Sequence, residues 1–281
     1  MFYDTSSYRE KLDGTRDDRT YGIVVLVPSE SKRLIARGVL ALPEVKRVLK
    51  DGLFVVSRGT TTAYIAEEIL GVTLPKSNCT AGIVTDCRLA VTIPEEGFGP
   101  WVFRKGVKVE ESAEEALKQF TATDVSVKGA NAIDPQGNVG VLAANDFGGT
   151  IGSIWPVLAA RGSHLIVPAG LEKMIASVID ASWVCGNKLF KYVMGNRVAL
   201  MPVVTAKVVT EIQALEILTG VHAVHVSSGG VGGSEGAVII ALEGSDETVK
   251  RAFDLVHSVK GEPSIGMPRL QPAVQAVFGQ G

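Results

Sequence analysis

Charge of one sign, cysteine, histidine and long apolar runs are all scarce in this chain of 281 residues. The formal net charge is −2, whereas binding along a nucleic-acid backbone needs a surplus of lysine and arginine. Nucleic acid is therefore not an expected partner, although a single local basic pocket is compatible with that balance. The three cysteines, Cys79, Cys87 and Cys185, and the four histidines, His164, His222, His225 and His257, show no metal-ligand spacing. No metal centre is expected, and the thiols read as buried and reduced in a cytoplasmic protein. No apolar stretch has the length of a membrane span, and MFYDTSSYREKLDGTRDDRT at the start has no apolar leader segment. A membrane is not an expected partner either, and residues 1–20 read as a mobile or docking arm.

What is present is a succession of short apolar runs alternating with helical patterns. Tyr21–Pro28 and Leu53–Ser57 read as buried strands, with Ser29 capping one helix and Pro43 opening another. AGIVTD and LAVTI, Trp101–Phe103, Asp124–Val127 and Ser163–Pro168 continue the strands. Helices follow Arg58–Thr62, Ser112 and Gly149, and Val139–Ala144 is either a strand or an irregular apolar connection. This alternation predicts an α/β domain over residues 21–195, with a mostly parallel, Rossmann-like sheet covered by helices on both faces. From about Arg197 the order changes to β-α-β-β-α-β, with a last strand around EPSIG. That predicts a smaller ferredoxin-like α+β module over 196–270 and a C-terminal tail over 271–281.

Three loops carry the chemistry. Arg58-Gly59-Thr60-Thr61-Thr62 lies between a strand and a helix start, where free N–H groups and hydroxyls converge on an anion, or where the helix is simply well capped. Lys128 ends a strand and can meet a phosphate or carboxylate, with Asn131 beside it to bond a carbonyl or hydroxyl. Asn145–Thr150 opens a helix: Gly148 and Gly149 permit close backbone approach, Thr150 caps, and Asp146 is the one carboxylate available as a general base or hydroxyl ligand. Lys173 is a further candidate for ligand contact. Asp134, in the turn DPQG, reads as structural. Gly229–Gly236 joins two strands rather than a strand and a helix, so it reads as a mobile hairpin loop, and the pairs Glu67/Glu68, Glu95/Glu96 and Glu114/Glu115 read as solvated surface.

Together these loops resemble the superfamily that holds ribose-5-phosphate isomerase A, glucosamine-6-phosphate deaminase, coenzyme A transferases, the sugar-sensing domains of DeoR-type repressors and initiation-factor-2B-like proteins. RGTTTAYIAEEIL is similar to the isomerase's phosphate-gripping GTGSTA loop and helix. VKGANAIDPQGNV is similar to its DGADEVDP segment, and GGTIGSIWPVLAARGSHLIVPAGLEKM to its GGGGA…KIVA stretch. The resemblance runs from about Leu53 to Lys173. It departs where the chemistry would be: Lys128 and Asn131 stand at the two acidic positions of the isomerase motif. An aldose–ketose isomerase needs a positioned carboxylate to move its proton, so the resemblance implies a kept pocket without the isomerase mechanism.

The sequence thus points to a small anionic metabolite, phosphorylated or carboxylated, gripped by Arg58 and Gly59–Thr62, with Asn131, Gly148–Thr150 and Lys173 around it. If a reaction occurs, Asp146 is the candidate base and Lys128 the electrostatic stabiliser. No cofactor is indicated. A non-catalytic sensor or homo-oligomeric assembly protein, and a sugar-phosphate isomerase with substituted acids, are the alternative readings.

Overall fold

The computed structural model describes residues 1–271. β1 (Thr20–Leu26) runs into α1 (Pro28–Ala41), which begins on a proline whose missing N–H is no loss at a first helical position. Val27, not Ser29, occupies the cap position, and Glu30 turns back to accept the Val27 N–H at 3.0 Å. α2 (Pro43–Asp51) leads to β2 (Leu53–Val56), and α3 (Thr60–Leu70) is stopped by Gly71 at φ 65°. The hairpin of β3 (Gly82–Thr85) and β4 (Arg88–Val91) precedes β5 (Trp101–Arg104), β6 (Val107–Val109) and α4 (Ala113–Lys118). β7 (Val125–Val127), β8 (Ala132–Ile133), β9 (Val139–Ala143), α5 (Gly149–Arg161), β10 (His164–Pro168) and α6 (Val178–Trp183) follow. The chain continues through β11 (Ala199–Val203), β12 (Lys207–Val209), α7 (Glu211–Thr219), β13 (His222–Ser228), β14 (Val238–Gly244) and α8 (Asp246–His257).

The main sheet has the order β12-β10-β7-β2-β5-β6. Its first four strands are parallel, and β5 and β6 are antiparallel additions at one edge. β2 shows why such a sheet needs cover on both faces. Phe54 and Val56 pack with Ile35 of α1 and Tyr64 of α3, while Leu53 and Val55 pack with Leu117 of α4 and Leu158 of α5. Burying a side chain such as Phe54 contributes about 1.5–3 kcal/mol, so this strand anchors both layers. The α/β architecture with a mostly parallel sheet is as the alternation of strands and helices implies.

The C-terminal part is connected differently from the sequence reading. β11 pairs with β9, β12 joins the main sheet, and residues 262–266 form no strand. One three-stranded antiparallel sheet is β11-β9-β8, and the other is β1-β14-β13, its first strand supplied from Thr20–Leu26. The reason lies in β1 itself. Val24 and Leu26 are buried against α7 and α8, but Ile23 and Val25 are exposed, at 62% and 44%. A strand with one covered face suits an antiparallel edge rather than the centre of a parallel sheet.

The first residues are docked on the main sheet and on α8. Tyr3 N–H donates to Val208 O at 2.8 Å and extends the main sheet beyond β12, while the Glu10 carboxylate accepts from Ser245 and Thr248 at the start of α8. The tail expected over 271–281 lies outside the described residues apart from Gln271. Among the described residues, no helix is long and apolar enough to cross a membrane.

Candidate functional site

β2, β7 and β10 lie side by side and parallel. The residues that follow them therefore emerge on one edge of the sheet, the place where open α/β sheets collect ligands. A cavity of about 500 Å³ opens there. Arg58, Gly59, Thr60 and Thr61 enter it from the end of β2, Lys128 and Asn131 from the end of β7, and Lys173 from the segment after β10. The opening of α5, Gly148 to Thr150, forms another wall, and the β3–β4 hairpin covers the opposite side. That hairpin turns through Asp86 and Cys87, both left-handed at φ 50° and 54°. Its Leu89 is clamped by backbone bonds to Met194 and Asn196.

Gly59 precedes α3 because a Cβ there would lie 2.9 Å from the Thr62 hydroxyl. Thr62 is fully buried and donates to the Gly59 carbonyl at 3.0 Å, so it holds the loop and does not face the cavity. Arg58 donates through Nη2 to Thr80 O at 2.7 Å, its Nε has no partner, and burial lowers its pKa. Asn131 accepts the Leu142 N–H at 3.0 Å, which spans β9 and fixes the amide. Gly148 and Gly149 adopt φ 78° and 56°, a pair of left-handed turns that only glycine takes freely.

Asp146 stands elsewhere. Its carboxylate is exposed, bonded to Lys188 Nζ and Asn187 Nδ2, each at 2.9 Å, and is not among the residues lining the cavity. The hydrogen bond and charge of Lys188 pull its pKa below the usual range, the wrong direction for a base. The sequence placed Asp146 in the pocket because Asn145 and Gly148 are there. The Asx turn made by Asn145, which accepts the Phe147 N–H at 2.8 Å, swings the intervening residue outward. Asp134 is structural as read, its carboxylate accepting from Gln136, Asn138 and Val178. Two smaller expectations fail: Cys87 is exposed at the hairpin turn, and Glu67 is buried, held by Arg33, Lys76 and the Leu74 N–H.

The sequence reading missed Lys32, the fifth residue of α1. It lines the cavity, donates to Pro28 O at 3.1 Å and lies 3.7 Å from Glu172. It was hidden because Ser29–Lys32, four polar residues at a helix start, reads as solvent-facing, whereas all four are buried. Lys173 donates to Ala130 O at 2.8 Å, and burial lowers its pKa. Burial, then the neighbouring Lys173 charge, brings the Lys128 amine down to about 8. Behind them Glu211, fully buried at the start of α7, accepts the Leu171 N–H at 2.9 Å. Burial, then the Glu172 charge, pushes its carboxyl up to about 7.

A second cavity of about 380 Å³ adjoins the first. The two share Val84, Leu89, Leu142, Asn196 and Val198, and the far side of the second is closed by Phe190, Tyr192 and Met194. One compartment is therefore cationic and the next apolar. Comparison with protein-family models, with curated proteins and with solved structures gave no match.

Proposed function

We propose that this chain binds a small metabolite bearing a phosphate or carboxylate group in the larger cavity. One observation carries the reading: Arg58, Lys32, Lys128 and Lys173 line it, and among the described residues no lining side chain is a carboxylate. Glu172, 3.7 Å from Lys32, offsets part of this charge, but it does not line the cavity; the cations that do repel one another, and an anion relieves them. The amide ends of α3 and α5 add backbone donors of the same polarity. The apolar neighbouring compartment accommodates an uncharged remainder of the ligand. The resemblance to the isomerase and transferase superfamily, and a Rossmann-like description of the main sheet, fit this reading. RGTTT, VKGANAI and the GGT at the start of α5, which belong to the segments that carry that resemblance, all contribute to the cavity walls.

Titration calorimetry with inorganic phosphate tests it. Binding is expected in the wild type, weakened at least tenfold in Arg58→Met, which removes a charge-assisted bond worth about 1.5–3 kcal/mol. Asp146→Ala, outside the cavity, should bind as the wild type does. Absence of binding by phosphate, by phosphate monoesters and by short carboxylates would overturn the proposal.

A further inference from the structure

A buried lysine that serves the fold usually pairs with a carboxylate. Lys128 does not. Its side chain is half-buried, its Nζ finds only the Gly129 carbonyl at 3.5 Å, and the charged group acting on it is another ammonium, that of Lys173. Lys32 of α1 and Arg58 after β2 line the same cavity, so every charged side chain on its walls carries the same sign. Lys128 and the adjoining Gly129 both face the cavity, and a Cβ added at Gly129 would meet nothing within 4 Å apart from its chain neighbours. Desolvation together with a neighbouring cation is the arrangement that leaves a lysine neutral and nucleophilic.

Building on the anion-binding reading, we infer that Lys128 forms an imine with the carbonyl carbon of an aldehyde or ketone whose phosphate or carboxylate is held by Arg58 and the start of α3. The neutral amine adds to the carbonyl carbon, a C–N bond forms, and the carbonyl π pair moves to oxygen. The oxygen takes one proton from the attacking nitrogen and a second from solvent. The C–O bond then breaks, water leaves, and the nitrogen lone pair closes the protonated C=N bond. Hydrolysis reverses each step. The cationic imine draws electrons from the bonds to the adjacent carbon, which is the use such a lysine has in catalysis.

The probe is glycolaldehyde phosphate with sodium cyanoborohydride, applied to the intact protein, with the reduced adduct located by peptide mass spectrometry. The expected result is near-stoichiometric modification at Lys128, at least tenfold faster than at Lys118 or Lys250, whose side chains are 71% and 70% exposed. Excess inorganic phosphate should suppress it. Its rate should level off above about pH 8, following the Lys128 amine, while modification of the exposed lysines keeps rising. Lys128→Arg should lose the adduct while its circular dichroism spectrum shows that the variant is folded. Phosphate binding without an adduct at Lys128, or labelling there no faster than at the exposed lysines, overturns the imine and leaves the anion site standing. No phosphate binding and no adduct overturns both.

Discussion

Replacing Lys128 by methionine should make the protein more stable while weakening its ligand site. The amine falls from an ordinary value of 10.5 to about 8 because burial and the Lys173 charge oppose its ionised form. At 1.36 kcal/mol per unit that is about 3 kcal/mol against folding, and partial solvent access reduces it to roughly 1–2 kcal/mol. The native state releases this proton more readily than the unfolded chain. The penalty is therefore complete below about pH 8 and is relieved as pH rises from about 8 towards 10.5. Lys128→Met removes it and keeps the bulk of the apolar stem. Thermal unfolding at pH 7, in a buffer free of phosphate, sulfate and carboxylates, should show a melting temperature higher by roughly 2–6 °C. The gain should shrink as pH approaches 10. Added phosphate should stabilise the wild type more than the variant, because the ligand offsets the same repulsion that the substitution abolishes. A variant less stable than the wild type at pH 7, or equally stabilised by phosphate, would refute the reasoning.

Two further substitutions test the packing behind the site. Glu211 is protonated more readily in the folded state, so its contribution is fully present below its ordinary pKa of 4.5 and is lost as pH rises through about 7; Glu211→Gln, neutral throughout, should raise stability at pH 8 relative to wild type by up to about 3 kcal/mol and change it little at pH 4, read by urea unfolding at both pH values. At Gly38 a Cβ would sit 2.7 Å from the Cβ and 2.8 Å from the Cα of Ala214; overpacking of about 1–3 kcal/mol exceeds the gain in helix propensity of up to about 1 kcal/mol, so Gly38→Ala should lower the melting temperature.

Local pattern made the elements and the loops legible. β2, buried on both faces, and the Ser112 cap were readable because their causes lie within a few residues. So were the loops after β2 and β7, since parallel strands carry their following residues to one edge, whereas the loop that opens α5 follows β9, a strand of a separate antiparallel sheet. Partner choice was not readable. YGIVVLVP is apolar throughout, and nothing in it marks Ile23 and Val25 as exposed or β14 as its neighbour. Lys32 belongs to the cavity only because α1 packs beside the end of β10, a tertiary fact without a local signature. Asp146 was misplaced for the opposite reason: its neighbours in sequence were right, but an Asx turn reverses the direction of a single side chain.

The pairing of β1 with β14 also sets a schedule for synthesis. Thr20 faces Gly244 and Leu26 faces Val238, so β1 leaves the ribosome long before the strand it pairs with. During that interval the backbone groups of an apolar strand stay unpaired, the condition under which nascent chains misassociate. Any fragment released before β14 lacks the hydrogen-bonding partner of β1, and that sheet cannot close until β14 has been made.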